Sequence, residues 1–214
     1  AVLGRNSTYK WDGEAGNYMN YMLDLNWKPN EKFVLGATGY WFVGDAGLPD
    51  EFDMDVNNYG IYAGFKFTPA IELKGIYYFQ NLGDNMPVMD DSPKAWKAVL
   101  DVKQEALKFT SLWLQYEQVD NSFRGLQQQN NMDWGTVPSI SDNRPVGADS
   151  TSTFWMIGAT QQWNDKWSTF LKYAQADYDE DWLDDAKNYT IGVNYQYTPA
   201  IAFQLTYDHI DYGD

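Results

Sequence analysis

The chain contains no cysteine, which excludes disulfides, thiolate metal sites and cysteine nucleophiles. Histidine is nearly absent as well, His209 being the only one. No apolar run approaches the roughly 18 residues of a transmembrane helix. Bases are scarce: 15 Lys and Arg stand against 30 Asp and Glu among 214 residues, a formal net charge of −15. That balance excludes a nucleic-acid binder that works by neutralising phosphates. What the chain does have is aromatic residues, 10 Trp, 16 Tyr and 11 Phe, far too many for a disordered acidic tail. Mean hydropathy is only −0.56, yet a transmembrane β-barrel stays open as a reading, because its strands need apolar residues only at alternate positions.

The periodicity is two. Tyr189, Ile191, Val193, Tyr195 and Tyr197 alternate with Thr190, Gly192, Asn194 and Gln196, one apolar and one polar face of a strand. Ile201, Phe203, Leu205 and Tyr207 resume the pattern after Thr198-Pro199-Ala200, which predicts a tight hairpin. A matching unit runs from Tyr59 through Thr68-Pro69-Ala70 to Phe79 and turns on the same Thr-Pro-Ala-Ile string. Three more hairpins are read at Lys28-Pro29-Asn30-Glu31, Gln104-Glu105 and Asn164-Asp165-Lys166. The sum is about ten strands of roughly ten residues, the length a tilted strand needs to cross a bilayer. Leu112-Trp113-Leu114 puts large apolar groups on both faces of the sixth strand and predicts a bulge there.

Short connections alternate with long ones at 44–57, 81–94, 119–151 and 179–187. The long ones carry −5, −2, −2 and −4, together −13 of the chain's −15. One end of the sheet is therefore acidic and loop-rich while the other is pinched into turns, the sorting found in outer-membrane barrels. Trp27, Phe33, Phe67, Trp163, Trp167 and Tyr197 gather around the tight turns, where amphipathic rings form an interfacial girdle.

Stretches such as YTPAIAFQLTYDHIDYGD, FKFTPAIELKGIYYFQN and WNDKWSTFLKYAQADYD resemble Gram-negative outer-membrane porins, and more narrowly the barrel part of porins linked to S-layer-homology domains in diderm Firmicutes. The resemblance implies an all-β fold, an antiparallel transmembrane β-barrel in the outer membrane of a diderm bacterium. It implies membrane lipid and lipopolysaccharide as surroundings, small hydrophilic solutes and ions as cargo, homotrimeric assembly, and no cofactor. Peptidoglycan would be gripped only through an S-layer-homology domain, which is not found in this sequence. Residues 1–16 read as the end of a loop, and Tyr212-Gly213-Asp214 lead into another. Both chain ends then fall on the loop side, whereas the family's even-stranded barrels keep both on the turn side. Residues 1–214 are therefore expected to form one barrel segment of a longer barrel, incomplete at both ends.

With the polar face inward, the charged wall candidates are Lys66, Lys74, Lys97, Lys103, Lys108 and Lys172 against Asp24, Glu72, Asp101 and Asp208. At the lipid midplane each Lys would cost about 2–4 kcal/mol. In a water-filled lumen they cost little and set a transverse field. Gly36, Gly60, Gly64, Gly158 and Gly192 share that face, leaving room or permitting curvature. The connection 119–151 is the candidate for folding into the lumen as a constriction, through Arg124, Asp133, Asp142, Arg144 and Asp149. An acidic mouth over a weakly positive lumen predicts weak cation preference at most.

Asp53-Met54-Asp55-Val56-Asn57 begins like an EF-hand loop, but Asn58 stands where Gly is required and Gly64 where the bidentate Glu belongs, so no metal is assigned. Two other classes fit part of the pattern. An outer-membrane protease resembling the omptins would need an Asp-His couple on one face, and Asp208 and His209, being adjacent, point to opposite faces of a strand. A soluble carbohydrate-binding β-sandwich would need one exposed aromatic platform, whereas apolar residues alternate on almost every strand. No catalytic residue is assigned.

Overall fold

The computed structural model describes residues 2–3, 7–11, 14–45, 56–83, 90–123, 140, 144–145 and 147–213; side chains are described at 21–41 and throughout the described residues from 56 onward. The strands are β1 (Val2–Leu3), β2 (Ser7–Trp11), β3 (Glu14–Asn30), β4 (Phe33–Asp45), β5 (Val56–Thr68), β6 (Ile71–Leu82), β7 (Lys94–Val102), β8 (Ser111–Asp120), β9 (Thr151–Gln162), β10 (Trp167–Asp177), β11 (Ala186–Thr198) and β12 (Ile201–Asp211), with a single helical turn, α1 (Gln104–Leu107), before β8. From β3 to β12 each strand pairs antiparallel with the next, and β1 and β2 both pair with β3. Among the described residues no pairing joins β12 to β3, so the sheet is open.

The antiparallel meander of ten long strands is as the sequence predicts, with three corrections. Residues 1–16, read as loop, contribute β1 and β2 to the edge of β3. Gln104-Glu105 is not a two-residue turn but the start of α1, which ends at Lys108 in the left-handed region, φ 72°. No bulge interrupts β8: its register is continuous on both sides through Leu112-Trp113-Leu114. Trp113 can point inward there because its β9 partner is Gly158, which leaves the ring a place to lie.

Register shifts occur instead beside the tight turns, at Trp27/Asn30, Lys66/Thr68 and Gln196/Thr198. Thr68 Oγ1 accepts from the Ala70 N–H at 3.2 Å and Thr198 Oγ1 from the Ala200 N–H at 3.3 Å, so the two identical strings close identically. Asn30 and Asn164 close their turns in the same way, onto the N–H groups of Lys32 and Lys166, each at 2.9 Å.

The two faces differ in kind. Ile61, Leu171, Ile191, Phe203 and Tyr207 are exposed on the outward face, and Leu205 reaches 76% exposure. A protein surrounded by water does not leave so continuous an apolar face uncovered. The inward face carries its main core toward the loop end, where Ile76, Tyr78, Val119, Phe154, Ala176 and Ala186 pack under Phe123, Ile140 and Tyr178. Phe123 and Ile140 belong to the β8–β9 connection and Tyr178 to the β10–β11 connection. The core thus lies inside the sheet's curve, held by its own loops.

Leu205 and Thr206 are exposed neighbours on opposite faces of β12. Leu205→Lys is expected to lower stability in lipid by about 2–4 kcal/mol and Thr206→Lys by much less; denaturant titration in vesicles measures both.

Candidate functional site

Strand register gathers the inward charges. Lys66, Glu72, Asp101, Trp113, Gly158, Lys172, Thr190 and Asp208 are successive cross-strand partners from β5 to β12. Partners in a ladder share a face, so five of the ten charged wall candidates fall on one line of the inward face. Within it, Thr190 Oγ1 donates to Asp208 Oδ1, which also accepts from Asn188 Nδ2 at 3.2 Å. Lys172 Nζ stands 5.3 Å from the centroid of the Phe170 ring.

Asp24 and Lys74 face inward on neighbouring lines. Tyr62 OH donates to Asp24 Oδ1 at 3.0 Å and accepts from Asn26 Nδ2 at 3.0 Å. Asp24, Lys28, Tyr62, Glu72 and Lys74 border one hollow. Among the described residues no salt bridge spans it, the Lys97–Glu117 pair being the only one present.

Three wall candidates sit differently from the rest. Lys97 faces inward but is 1% exposed, ion-paired at 3.2 Å with Glu117, which is 0% exposed. Lys103 and Lys108 flank α1 at the turn end and are not strand residues. Glu117 escapes sequence reading only because of the bulge expected in β8. Strict alternation from Trp113 through Gln115 puts it on the inward face.

Among the constriction candidates, Arg124, Asp133 and Asp142 lie outside the described residues. Arg144 is buried, and its guanidinium donates to the carbonyls of Asp120 at 2.8 Å and Phe123 at 3.1 Å. It therefore ties its connection to the end of β8, spending its donors on backbone. Asp149 is exposed. Tyr178 OH donates to the Ile140 carbonyl at 2.8 Å. A relay from Ser152 to Asn121 (2.7 Å), Asn121 to Ser150 (2.7 Å) and Ser150 to Glu180 (2.5 Å) fastens the two connections to each other. At this end, partial burial pushes the Asp185 carboxyl up, with repulsion from Asp177 and Asp184 adding to it and Lys187 opposing.

On the outward face the turn-end aromatics meet as pairs: Trp27 with Phe33 at 6.4 Å, Phe65 with Phe67 at 5.1 Å, Trp167 with Tyr195 at 4.4 Å and Tyr197 with Phe203 at 6.4 Å. Trp163 Nε1 donates to Thr169 Oγ1 at 3.0 Å. A second row, not anticipated from sequence, lies nearer the loops. Trp41, Tyr59 and Phe79 follow one another at 5.9 and 5.2 Å, Trp96 and Tyr116 meet at 4.9 Å, and Trp155, Tyr173 and Tyr189 at 5.1 and 5.0 Å. Tyr59 precedes Phe67, and Tyr189 precedes Tyr197, by eight residues. That is about 26 Å along a strand and about 20 Å across a bilayer at a 40° tilt. The spacing was the readable signal. Two aromatic rows bounding an apolar band of this order, against about 25 Å in outer-membrane barrels generally, are the outward face of such a barrel.

The family model of the Gram-negative porin matches residues 6–214. The chain belongs to the Gram-negative porin family. No relative among curated proteins matches the porin. Among solved structures it is similar to a double variant of OccD1 (OprD), with a TM-score of 0.54 at 13% identity, covering 96% of the porin and 62% of that chain. It is also similar to Pseudomonas aeruginosa OccD3 (OpdP), with a TM-score of 0.48, 13% identity and coverages of 98% and 66%. A Pseudomonas aeruginosa FadL homologue gives a TM-score of 0.49 at 14% identity, with coverages of 97% and 64%. The porin thus spans less than two thirds of these structures' lengths. The likeness to OccD1 is one of fold, that of an outer-membrane β-barrel sheet. Family membership places the porin in the outer membrane and sets it apart from enzymes, the omptin-like protease included.

Removing one member of a buried ion pair strands the other charge. Lys97→Met is expected to destabilise the porin by about 3–5 kcal/mol, and Lys97→Met with Glu117→Leu to recover most of that loss. Unfolding titrations of the two variants measure the difference.

Proposed function

We propose that the porin is a channel for passive diffusion of small hydrophilic solutes and ions across the outer membrane. The observation that carries this reading is the line of inward charges from Lys66 to Asp208, which register keeps on the face away from lipid. Such a line mixes both signs, so it sets up a transverse field without excluding either sign outright. Lys74 and Asp24 add to the wall, while Lys103 and Lys108 stand at its turn-end rim. The β8–β9 connection narrows the passage. Support comes from Phe123 and Ile140, buried against the inward face, and from Arg144, which holds the connection's base. Of the four remaining constriction candidates, Asp149 is the exposed charge that the described part of the connection offers there.

The acidic connections, which hold −13 of the net charge, form a mouth that concentrates cations at low salt. Lipid and lipopolysaccharide cover the outward face between the aromatic rows, and assembly as a homotrimer rests on the porin resemblance. Planar-bilayer recording tests the reading. The expected result is ohmic conductance steps with weak cation preference, fading as salt rises from about 0.1 M to 1 M and the Debye length shrinks from about 10 to 3 Å. Absence of steps would overturn the channel, and clear anion selectivity the acidic mouth.

A further inference from the structure

Four inward glycines face an aromatic residue as their direct cross-strand partner: Gly36 faces Tyr62, Gly60 faces Tyr78, Gly158 faces Trp113 and Gly192 faces Phe170. A Cβ added at these glycines would lie 2.0 Å from Tyr62 Cζ, 2.3 Å from Tyr78 Cε1, 2.2 Å from Trp113 Cε2 and 2.1 Å from Phe170 Cζ. The space over each is therefore not vacant wall, as the sequence suggested, but the bed of a neighbouring ring. Each ring lies across the next strand instead of standing away from the sheet, and covers backbone that glycine leaves bare. The fifth inward glycine, Gly64, faces Val34 and carries no ring.

Tyr78 and Phe170 are both buried, Tyr78 beside Phe123 of the β8–β9 connection and Phe170 near the tight turn that opens β10. The other two rings, Tyr62 and Trp113, are half-buried on the inward face at the margin of the core. Tyr62 is held flat by Asp24 and Asn26. Trp113 occupies the middle of the charged line, between Asp101 and Lys172 on either side of the Trp113–Gly158 pair. A tryptophan standing upright at that point would divide the passage the charges surround.

We propose that Gly36 and Gly158 are specificity-determining residues that set the channel's bore, by providing the beds on which Tyr62 and Trp113 lie flat. The inference rests on the channel reading above. The three atoms nearest a methyl group at either glycine all belong to a side chain, the Tyr62 ring tip or the Nε1 edge of the Trp113 indole. The low-cost response is rotation of the ring into the lumen, with the strand pairing unchanged. Bore and fold are then separable: the same substitution that narrows the passage leaves the sheet intact.

The test is planar-bilayer recording on the full chain and on Gly158→Ala, Trp113→Ala and the double variant, with heat-modifiable gel migration as the check on folding. Gly158→Ala should lose conductance on the order of twofold and exclude larger sugars that the parent admits. The double variant should regain parental conductance or more, because no ring remains to be displaced. Gly36→Ala with and without Tyr62→Ala repeats the comparison at an independent position, should one variant fail to fold. Parental conductance in both folded glycine variants overturns the inference, as does a double variant that conducts as poorly as Gly158→Ala alone, which would trace the loss to the backbone. A parent chain that folds without conducting overturns the channel reading itself, and the bore with it.

Discussion

Lipid offers no hydrogen-bond partner, so every strand that crosses it must pair on both sides and must show lipid an apolar side chain at every second position. That single demand explains why the chain reads with a period of two and why its register admits no alternative. Slipping one strand by a residue would turn Lys66, Lys172 or another member of the inward line toward acyl chains, at about 2–4 kcal/mol for a midplane Lys. The same slip would bring Ile61, Leu171 or Ile191 into the lumen. Charge and apolar band therefore lock each other in place. Neither pattern alone would fix the pairing as firmly.

The rest of the structure absorbs what that demand leaves over. Irregularity is pushed to the turn end, where three register shifts sit within a residue or two of tight turns, clear of the apolar band. At the loop end a soluble-type core forms inside the sheet's curve, with Phe154, Ile140 and Tyr178 fully buried. That core explains the one buried ion pair. Lys97 and Glu117 would be ordinary wall charges in an uncovered sheet; buried, they are made tolerable by neutralising each other, with the Arg144 guanidinium adding its charge on the Glu117 side.

Most of the fold was legible because strands of a membrane barrel carry their facing in every other residue. Four of the five turn positions and the turn-end aromatic row follow from counting. The misses have physical causes. A one-turn helix at Gln104–Leu107 leaves no periodic trace, and extending strand periodicity through it placed Lys103 and Lys108 on a wall they only border. Trp113 between two leucines looks like a broken alternation until its partner is known to be Gly158. A partner 45 residues away is invisible to any local pattern. That misjudged bulge in turn hid Glu117, and with it the ion pair. The loop-end aromatic row was present in the eight-residue repeats Tyr59–Phe67 and Tyr189–Tyr197, a regularity that shows once both ends of the band are sought.

Charge and width act on the passage at different ranges. An acidic mouth works through a diffuse field that salt screens within about 8 Å under physiological conditions. On the channel reading the inward line works at contact distance, where Lys66, Glu72, Asp101, Lys172 and Asp208 would meet a solute in turn, and screening matters little to a solute that touches them. Ring placement works by volume alone and is indifferent to salt. In one sheet these three controls occupy three sets of residues: connections, charged strand positions and glycine–aromatic pairs. On the channel reading the β8–β9 connection contributes to both charge and width, so ion preference separates from size exclusion only at the other acidic connections, while size exclusion can change at a glycine without altering the field at the mouth.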